Sequence, residues 1–325
     1  MKIKLSCPSK TFILGEYLAM TGGPALIACT EPRFEMTVSS TLADQSKIIG
    51  VDASSPAGQF LSKFKCDFFY FDIDFKDPHK TRGGLGASSA QFAMLLALDC
   101  AIKRSRQKEI SPELLSALSA FEAKDGFHYL PIYRDCAWQG VGLPPSGADV
   151  MAQLSGGLSY VRSEENLIHS FNWDFPNIDF ALVRTGHKVA THEHLKNIVD
   201  IPTAKLKNIA DTAMQSLLLK DEETFIESLS NYADVLVEQN WVAKYTVELL
   251  AKAKKNLPLL AAKGCGAMGA DILLLVYSKN NQEKVRSYLS TENLEIIGTS
   301  QNLSAGLKLS QPSDEHKINL PEVQL

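Results

Sequence analysis

Short apolar runs separated by polar positions and turn residues fill the first forty residues of the chain. KIKLSC from Lys2, TFIL from Thr11, ALIACT from Ala25 and FEMTV from Phe34 have the length and content of strands, and MTGGPA breaks the series. This pattern predicts meandering strands joined by turns. KCDFFYFDIDF, from Lys65, predicts another strand because it is rich in aromatic and β-branched residues.

Helical patterns take over in three later stretches. SSAQFAMLLALDCAIK, from Ser88, is apolar nearly all round, which predicts a helix buried in the middle of a domain. SPELLSALSAFEAK predicts a capped amphipathic helix, with Ser111 at its start and Glu113 in its first turn. Helical spacing then dominates from about residue 191 to residue 254, with a predicted break at Asp221.

The remaining stretches predict strands. GGLSYVRS and DFALVRTG are strand-like, and KGCGAMGADILLLVY, from Lys263, predicts a glycine turn that runs into an apolar strand. LEIIGTSQNLSAGLKL, from Leu294, predicts a final strand pair, followed by a loose tail after about Gln311. The mixture of strand blocks and helix blocks predicts an α+β fold with two domains, residues 1–172 and 173–325, divided near Asn172.

The composition is that of an ordinary globular protein. Of the 325 residues 45% are apolar and 22% are charged, and the formal net charge is -4. Without an overall positive field we expect no nucleic-acid and no membrane partner, so an anionic substrate needs a local cationic site. The chain has no run of about 18 apolar residues, and MKIKLSCPSKTF lacks the apolar stretch of a signal peptide, so we expect a cytoplasmic protein.

Cysteine and histidine patterns predict neither disulfides nor a metal site. The six cysteines are scattered without a CxxC pair, which is typical of reduced thiols packed as small apolar side chains. The HEH triplet at residues 192–194 falls where we expect a helix to start, and alternate residues on a helix point to different faces. No third ligand is evident beside it.

Glycines and serines are concentrated in KTRGGLGASSAQF, residues 80–92, immediately before the apolar helix. Gly83, Gly84 and Gly86 free the backbone to bend, so that N–H groups can converge on an anion. The helix N-terminus adds about half a positive charge, and two basic residues lie just upstream. Ser88 offers a hydroxyl to a metal-bound phosphate. Residues 83–89 are called the glycine loop below.

Two known phosphate-binding patterns do not fit the glycine loop. The pattern GxxxxGK[ST] requires a lysine after the glycines, and none follows them here. The dinucleotide fingerprint GxGxxG would need its third glycine at Ser89 and a strand that ends closer to the loop. From the residues alone, the loop is either a phosphate cradle or a structural turn before a core helix.

CPSKTFILGEYLAMTGGPAL, GGLGASSA and KGCGAMGAD follow one another along the chain. In this order the three segments resemble motifs of the superfamily of galactokinase, homoserine kinase, mevalonate kinase and phosphomevalonate kinase (the GHMP kinases). The first motif, CPSKTFILGEYLAMTGGPAL at residues 7–26, resembles the superfamily's N-terminal motif. GGLGASSA is similar to its phosphate loop GLGSSA, although Ala87 stands where the first serine usually does. The third motif, KGCGAMGAD at residues 263–271, is similar to its C-terminal glycine motif.

The resemblance implies a fold, a nucleotide and a metal. The fold would be a two-domain GHMP kinase fold, with an N-terminal domain of the ribosomal-protein-S5-like type and a C-terminal ferredoxin-like α/β domain. ATP would place its phosphates on the glycine loop, and Mg²⁺ would be held mostly by phosphate oxygens and by Ser88. The expected nucleotide-binding residues are Gly83, Gly84, Leu85, Gly86, Ala87, Ser88 and Ser89.

The resemblance also implies three catalytic residues. Lys10 would point at the transferred phosphoryl group, Ser88 would bind the metal–phosphate unit, and Asp149, in PSGADV, would face Lys10 across the site. Each has a structural alternative, as a surface lysine, a helix-capping hydroxyl and a turn carboxylate respectively. The expected acceptor-binding residues are Glu16, Tyr17, Ser146, Gly147, Arg184, Lys188, Ala190, Thr191, Gly266 and Ala267.

The implied partner is a small-molecule acceptor of the mevalonate pathway. Tyr17 after Gly-Glu, and Asp271 at the end of the third motif, resemble phosphomevalonate kinases, as does RTGHKVATHEHL at residues 184–195. The cationic residues of that segment suit a phosphorylated acceptor. PSGAD is closer to mevalonate kinases, but residues 138–142 lack the metal-binding glutamate expected of them, and Asp135 is the nearest carboxylate. Phosphomevalonate is therefore our first choice of acceptor and mevalonate our second. The sequence leaves open whether the protein forms a homodimer.

Two rival hypotheses remain within the superfamily. One is a protein that binds a metabolite without catalysis, and the other is an enzyme that phosphorylates and then decarboxylates diphosphomevalonate. The presence of Lys10, Ser88 and Asp149 argues against the first, and the GEY and PSGAD segments argue against the second.

Overall fold

The computed structural model describes residues 1–41, 46–64, 68–79, 82–138, 140–187 and 201–310. Its strands form two sheets, on which the helices pack. The strands are β1 (Lys2–Leu14), β2 (Pro24–Ser40), β3 (Ile48–Ile49), β4 (Phe71–Lys76), β5 (Leu158–Arg162), β6 (Leu167–Phe171), β7 (Ile178–Arg184), β8 (Leu259–Cys265), β9 (Ile272–Ser278), β10 (Ile296–Thr299) and β11 (Lys308–Ser310). The α-helices are α1 (Pro56–Lys63), α2 (Ala87–Ser105), α3 (Pro112–Ser119), α4 (Leu130–Ala137), α5 (Ala148–Ser155), α6 (Thr203–Leu219), α7 (Glu222–Glu238), α8 (Lys244–Asn256) and α9 (Gln282–Thr291). The predicted α+β class is confirmed.

The first sheet is built around one long antiparallel pair. Its order is β11-β1-β2-β4-β3, and β5 pairs with β2 and carries β6. Runs predicted as separate strands are merged here, since KIKLSC and TFIL both lie in β1 and ALIACT and FEMTV both lie in β2. The pairing continues from Lys2 opposite Ser39 to Leu14 opposite Leu26, with two register shifts. Irregular residues therefore bend these strands without ending them.

Helix α2 runs through the middle of the molecule. Every residue from Ser89 to Ile102 is buried, which explains why the sequence shows no polar face on this helix. The helix packs against β1 and β2. The prediction of a buried helix is confirmed, and its packing fixes the position of its N-terminus, where the glycine loop ends.

The second sheet has the order β10-β7-β9-β8, antiparallel throughout, and α7 and α8 pack on β8. The predicted helical stretch is confirmed for its described part. Asp221 caps α7, because its carboxylate accepts a 3.1 Å hydrogen bond from the Thr224 N–H. Ser111 caps α3 in the same way, with a 3.2 Å bond from the Leu114 N–H.

The last two strands do not pair with each other, contrary to the prediction. Strand β10 pairs with β7, whereas β11 crosses to the first sheet and places Leu309 opposite Leu5 of β1. Arg33 holds this crossing, since its guanidinium donates to the Ala305 carbonyl at 2.6 Å and to the Ser6 carbonyl at 2.8 Å. Each strand thus covers the edge of a different sheet, which a local sequence pattern cannot specify.

The chain passes from the first sheet to the second between the end of β6 at Phe171 and the start of β7 at Ile178. One cluster of buried apolar side chains spans both sheets, and β11 returns to the first. The division into domains at residue 172 and the two expected domain types therefore stay predictions.

The described residues contain no helix that combines the length and the apolar character needed to cross a bilayer. The five cysteines among them are buried free thiols, and burial raises the pKa of Cys7 to about 12. A thiol with so high a pKa carries almost no reactive thiolate.

Candidate active site

The glycine loop turns sharply and delivers the chain into α2. Gly83, Gly84 and Gly86 have φ angles of 72°, 81° and 89°, all in the left-handed region that favours glycine. Gly86 is the N-cap of α2, where no side chain caps the helix and no acidic residue lies in the first turn. Backbone N–H groups and the positive end of the helix dipole are therefore available to an anion.

Two neighbouring serines at the start of α2 have different surroundings. Ser88 is exposed, whereas Ser89 is buried and its hydroxyl donates a 3.1 Å hydrogen bond to the Gly86 carbonyl. Ser89 therefore stabilises the loop, and Ser88 is the serine whose hydroxyl is open to a ligand.

Lys10 lies directly against the glycine loop. Its N–H donates a 3.0 Å hydrogen bond to the Leu85 carbonyl, and its ammonium lies 5.0 Å from the centre of the Phe12 ring. A Cβ atom at Gly86 would lie 2.7 Å from Lys10 Cγ and 3.0 Å from Lys10 Cε. Because Gly86 has no side chain, the aliphatic part of Lys10 can cross the loop. The fold thus brings together two residues that lie 76 positions apart in the sequence.

Helix α5 approaches the same place with Asp149 in its first turn. Gln153, one turn later on the same helix, donates hydrogen bonds to the Pro8 carbonyl at 2.8 Å and to the Gly86 carbonyl at 3.1 Å. Residues four apart share a face of a helix, so we expect Asp149 on the face of α5 that carries Gln153. Burial and then the Asp149 carboxylate raise the pKa of Tyr133 well above its ordinary range.

The turn before α5 is shaped by packing. Gly147 is the N-cap of α5 with a φ angle of 75°, and a Cβ atom there would lie 2.5 Å from Leu130 Cδ2. The hydroxyl of Ser146 accepts a 3.2 Å hydrogen bond from the Ala148 N–H. These contacts hold the turn in place, and the acceptor contacts expected of Ser146 and Gly147 stay predictions.

The third motif meets the glycine loop from the second sheet. Gly266 has a φ angle of 89°, and a Cβ atom there would lie 2.7 Å from Asp271 Oδ2. A Cβ atom at Gly84 would lie 3.1 Å from Asp271 Cβ. Asp271 therefore packs between two glycines from distant parts of the chain, and both glycine-rich turns contribute to one site. The side chain of Ala267 lies outside the described part.

Glu16 contacts the second sheet, and Tyr17 contacts the segment between α7 and α8. Lys263 Nζ donates a 2.7 Å hydrogen bond to Glu16 Oε1, and both side chains are buried. The Tyr17 ring lies 4.3 Å from the Trp241 ring, and its hydroxyl donates to the Trp241 carbonyl at 3.4 Å. The first motif is thereby joined to the third, and the expected acceptor contacts of Glu16 and Tyr17 stay predictions.

Of the segment that resembles the phosphomevalonate kinases, only residues 184–187 are described. Arg184 Nε donates to Glu295 Oε2 at 3.1 Å, and Arg82 Nη1 donates to the same oxygen at 2.9 Å. Lys188, Ala190 and Thr191 lie outside the described residues, as do Lys80 and the HEH triplet.

Sequence reasoning missed Gln153 and Lys263. Gln153 carries no motif of its own, although its position one turn after Asp149 was a signal that could have been used. Lys263 opens the third motif, and its charge at the start of an apolar strand predicts a buried partner. No group of three or more acidic, cysteine or histidine side chains in the described residues is placed to hold a metal ion.

Comparison with known proteins identifies the fold. No protein-family model matches the chain. A curated mevalonate kinase from Methanothermobacter thermautotrophicus is 24% identical over 290 residues, which are 84% of this chain and 90% of that protein. A solved structure of a Lin0012 protein from Listeria innocua has a TM-score of 0.73 at 15% identity and covers 96% of this chain and 100% of its own.

A second solved structure is phosphomevalonate kinase from Streptococcus pneumoniae in complex with phosphomevalonate and AMPPNP. Its TM-score is 0.66 at 15% identity, over 92% of this chain and 99% of that chain. Identities this low establish a shared fold and leave the activity to be argued from the site. The chain shares its fold with solved structures of phosphomevalonate kinase, mevalonate kinase, galactokinase and homoserine kinase, which agrees with the resemblance that the three motifs carry.

Proposed function

We propose that the protein is an ATP-dependent kinase that transfers the γ-phosphoryl group to phosphomevalonate, with mevalonate as the alternative acceptor. The observation that carries the proposal is the packing of Lys10 across Gly86, with Gln153 bonded to the same glycine one turn after Asp149. This packing supports a site in which the Lys10 ammonium and the Asp149 carboxylate meet at one uncapped helix N-terminus. Phosphoryl transfer needs mainly positioning and charge neutralisation, and this arrangement offers both.

The glycine loop and Ser88 fit a magnesium-bound nucleotide. The first turn of α2 contains no acidic residue, and the exposed Ser88 hydroxyl can reach a phosphate-bound cation. Bound MgATP would supply the phosphoryl group. The residues assigned to this end of the site are Gly83, Gly84, Leu85, Gly86, Ala87, Ser88 and Ser89.

Lys10 and Asp149 have different tasks in the proposed reaction. Lys10 neutralises charge on the group in transfer, and this interaction is stronger in the transition state than in the ground state. With phosphomevalonate, a phosphate oxygen attacks and Asp149 orients the acceptor without taking a proton. With mevalonate, Asp149 accepts the hydroxyl proton as the new phosphorus–oxygen bond forms and the bond from the γ-phosphorus to the ADP leaving group breaks.

Two observations favour each acceptor, and a further one decides between them. Tyr17 and Asp271 both resemble the phosphomevalonate kinase pattern. Against this, the curated relative from Methanothermobacter thermautotrophicus is a mevalonate kinase, and PSGAD is closer to that group. Phosphomevalonate remains the first choice because residues 138–142 lack a carboxylate for the metal.

A direct assay separates these acceptors and the non-catalytic alternative. Purified protein is incubated with MgATP and either acceptor, ADP release is followed, and the product is identified by phosphorus NMR. We expect ADP and a diphosphate signal with phosphomevalonate only. Turnover with mevalonate alone would replace the first choice by the second. Tight binding of either compound without ADP release would show a metabolite-binding protein instead of a kinase.

A further inference from the structure

A cavity of about 240 Å³ lies between the segment that leads into the glycine loop and the second sheet. Its polar lining consists of His79, Arg82, Arg184 and Glu295, and Pro32 and Ile297 contribute apolar walls. We call it the His79 cavity. Its size is below the range of about 300–1,000 Å³ that is usual for sites of drug-sized ligands, so it suits a small ligand.

The His79 cavity is separate from the candidate active site. Ser9 and Lys10 are consecutive residues of β1, so their side chains point to opposite faces of the strand. Lys10 lies against Gly86, whereas the Ser9 hydroxyl lies 2.7 Å from both the Pro32 carbonyl and His79 Nε2. The cavity therefore lies behind β1 as seen from Lys10.

The cavity carries an excess of positive charge. Glu295 Oε2 accepts from Arg82 Nη1 at 2.9 Å and from Arg184 Nε at 3.1 Å, and within the described residues these are the only hydrogen bonds that the two guanidinium groups donate. One carboxylate thus faces two cations. A guanidinium has five N–H donors in a planar fork, so both groups have donors left for a further acceptor.

The pKa of His79 depends on the charged groups around the cavity. Burial lowers the pKa of His79, and Arg184 and Arg82 lower it further, while Asp77 and Glu295 act in the opposite direction. The Ser9 hydroxyl donates to the Pro32 carbonyl, so it is His79 Nε2 that donates to Ser9. This bond to Ser9 holds the ring beside the two arginines.

We propose that the His79 cavity binds a small phosphate-bearing ligand, whose phosphate bridges Arg82 and Arg184 and whose non-polar part contacts Pro32 and Ile297. A phosphate dianion matches two guanidinium forks better than the single carboxylate oxygen of Glu295 does. Because Arg82 directly precedes Gly83 and Arg184 ends β7, the ligand ties the glycine loop to the second sheet. The site shares Arg184 with the expected acceptor contacts, but its binding of phosphate does not require the proposed kinase reaction.

The test uses inorganic phosphate and the full-length protein without nucleotide or acceptor, so it does not depend on turnover. Histidine ring nitrogens are labelled with ¹⁵N, and the His79 signal is assigned by its loss in His79→Gln. We expect phosphate to shift this signal and to raise the pKa of His79. Arg82→Gln and Arg184→Gln should abolish the response, whereas Lys10→Ala should leave it in place. The same titration with a small phosphomonoester shows whether the apolar walls add affinity.

Glu295→Gln gives a result that misfolding cannot imitate. Removing the competing carboxylate should tighten phosphate binding about tenfold, as expected for one contact to a charged group. No response of His79 in either the wild type or Glu295→Gln would overturn the proposal. A response that Lys10→Ala abolishes and Arg184→Gln preserves would also overturn it, because the phosphate would then lie on the glycine loop.

Discussion

Lys263 Nζ donates a 2.7 Å hydrogen bond to Glu16 Oε1 and so joins the second sheet to the first motif. The exposed fractions of the two side chains are only 2% and 8%. Burial alone would lower the pKa of Lys263, but Cys265 and the Glu16 carboxylate outweigh it and raise this pKa, so Lys263 stays charged. Glu16 Oε2 has no hydrogen-bond partner within the described residues, so the carboxylate depends on Lys263.

Removal of one partner from this pair should therefore be costly. Lys263→Met leaves the Glu16 carboxylate buried without a cation, and we expect the free energy of unfolding to fall by about 3–5 kcal/mol. Glu16→Gln combined with Lys263→Met removes both charges and should recover most of that loss. Denaturant unfolding of the single and double variants measures both values.

The exposed pair Lys205–Glu238 is the matched control for this prediction. Its side chains are 56% and 59% exposed, and the N···O distance is 3.1 Å. Lys205→Met should change the free energy of unfolding by less than about 1 kcal/mol, because water screens such pairs. An equally small effect of Lys263→Met would show that the buried pair contributes no more than a surface contact.

The sequence predicted those features that depend on local pattern. The apolar helix α2, the helix break at Asp221 and the bends at Gly83, Gly84 and Gly86 follow from hydrophobic periodicity and backbone chemistry. The position of Lys10 at the loop was inferred from the resemblance, since no local rule brings together residues 76 positions apart. Long-range contacts such as β11 on β1 arise from edge pairing, which is set by the whole sheet.

Lys10→Ala tests the charge at the glycine loop. We expect kcat to fall about 100-fold or more while MgATP still binds, because the ammonium acts mainly on the transition state. Steady-state kinetics and nucleotide titration separate the two effects. Lys4→Ala removes a lysine from the same strand away from the loop and should leave kcat unchanged. A loss of MgATP binding with kcat intact would move Lys10 from catalysis to nucleotide binding.

Gly86→Ala tests the close approach of Lys10 to the loop. An alanine there has an unfavourable left-handed backbone, which costs about 1–2 kcal/mol, and its Cβ would also displace the Lys10 side chain. We expect both a loss of stability and a loss of nucleotide binding, measured by thermal unfolding and by titration.

Gly140→Ala isolates the backbone part of that effect. Gly140 has a φ angle of 80°, and no described atom lies within 4 Å of the position that a Cβ would take. The variant should lose stability to a similar extent and keep nucleotide affinity. If both variants bind nucleotide equally well, the contact between Gly86 and Lys10 has no part in the site.

The serine pair at the start of α2 allows a comparison of neighbours. Ser88→Ala should weaken magnesium-dependent nucleotide binding or turnover, because the exposed hydroxyl is the one that faces a ligand. Ser89→Ala should instead lower the free energy of unfolding by about 1 kcal/mol, since it removes the bond to the Gly86 carbonyl. Affinity and rate at limiting magnesium, together with urea unfolding, measure the two effects. A reversal of these two outcomes would exchange the roles of the serines.

His79 should make the stability of the protein depend on pH. Its pKa is lowered in the folded state, first by burial and then by Arg184 and Arg82, so below its ordinary value of about 6.5 the unfolded chain binds more protons than the native protein does. The free energy of unfolding should therefore fall as the pH drops through the interval between the unfolded and the folded pKa values.

His79→Gln should flatten this dependence, because a glutamine amide can still donate to the Ser9 hydroxyl and does not titrate. Urea unfolding of both proteins at several pH values between about 7.5 and 5 measures the difference. His169→Gln replaces an exposed histidine on β6 and controls for the loss of a histidine elsewhere. If the free energy of unfolding falls equally with pH in the wild type and in His79→Gln, another group causes the pH dependence. The pKa of His79 would then be the same in the folded protein as in the unfolded chain.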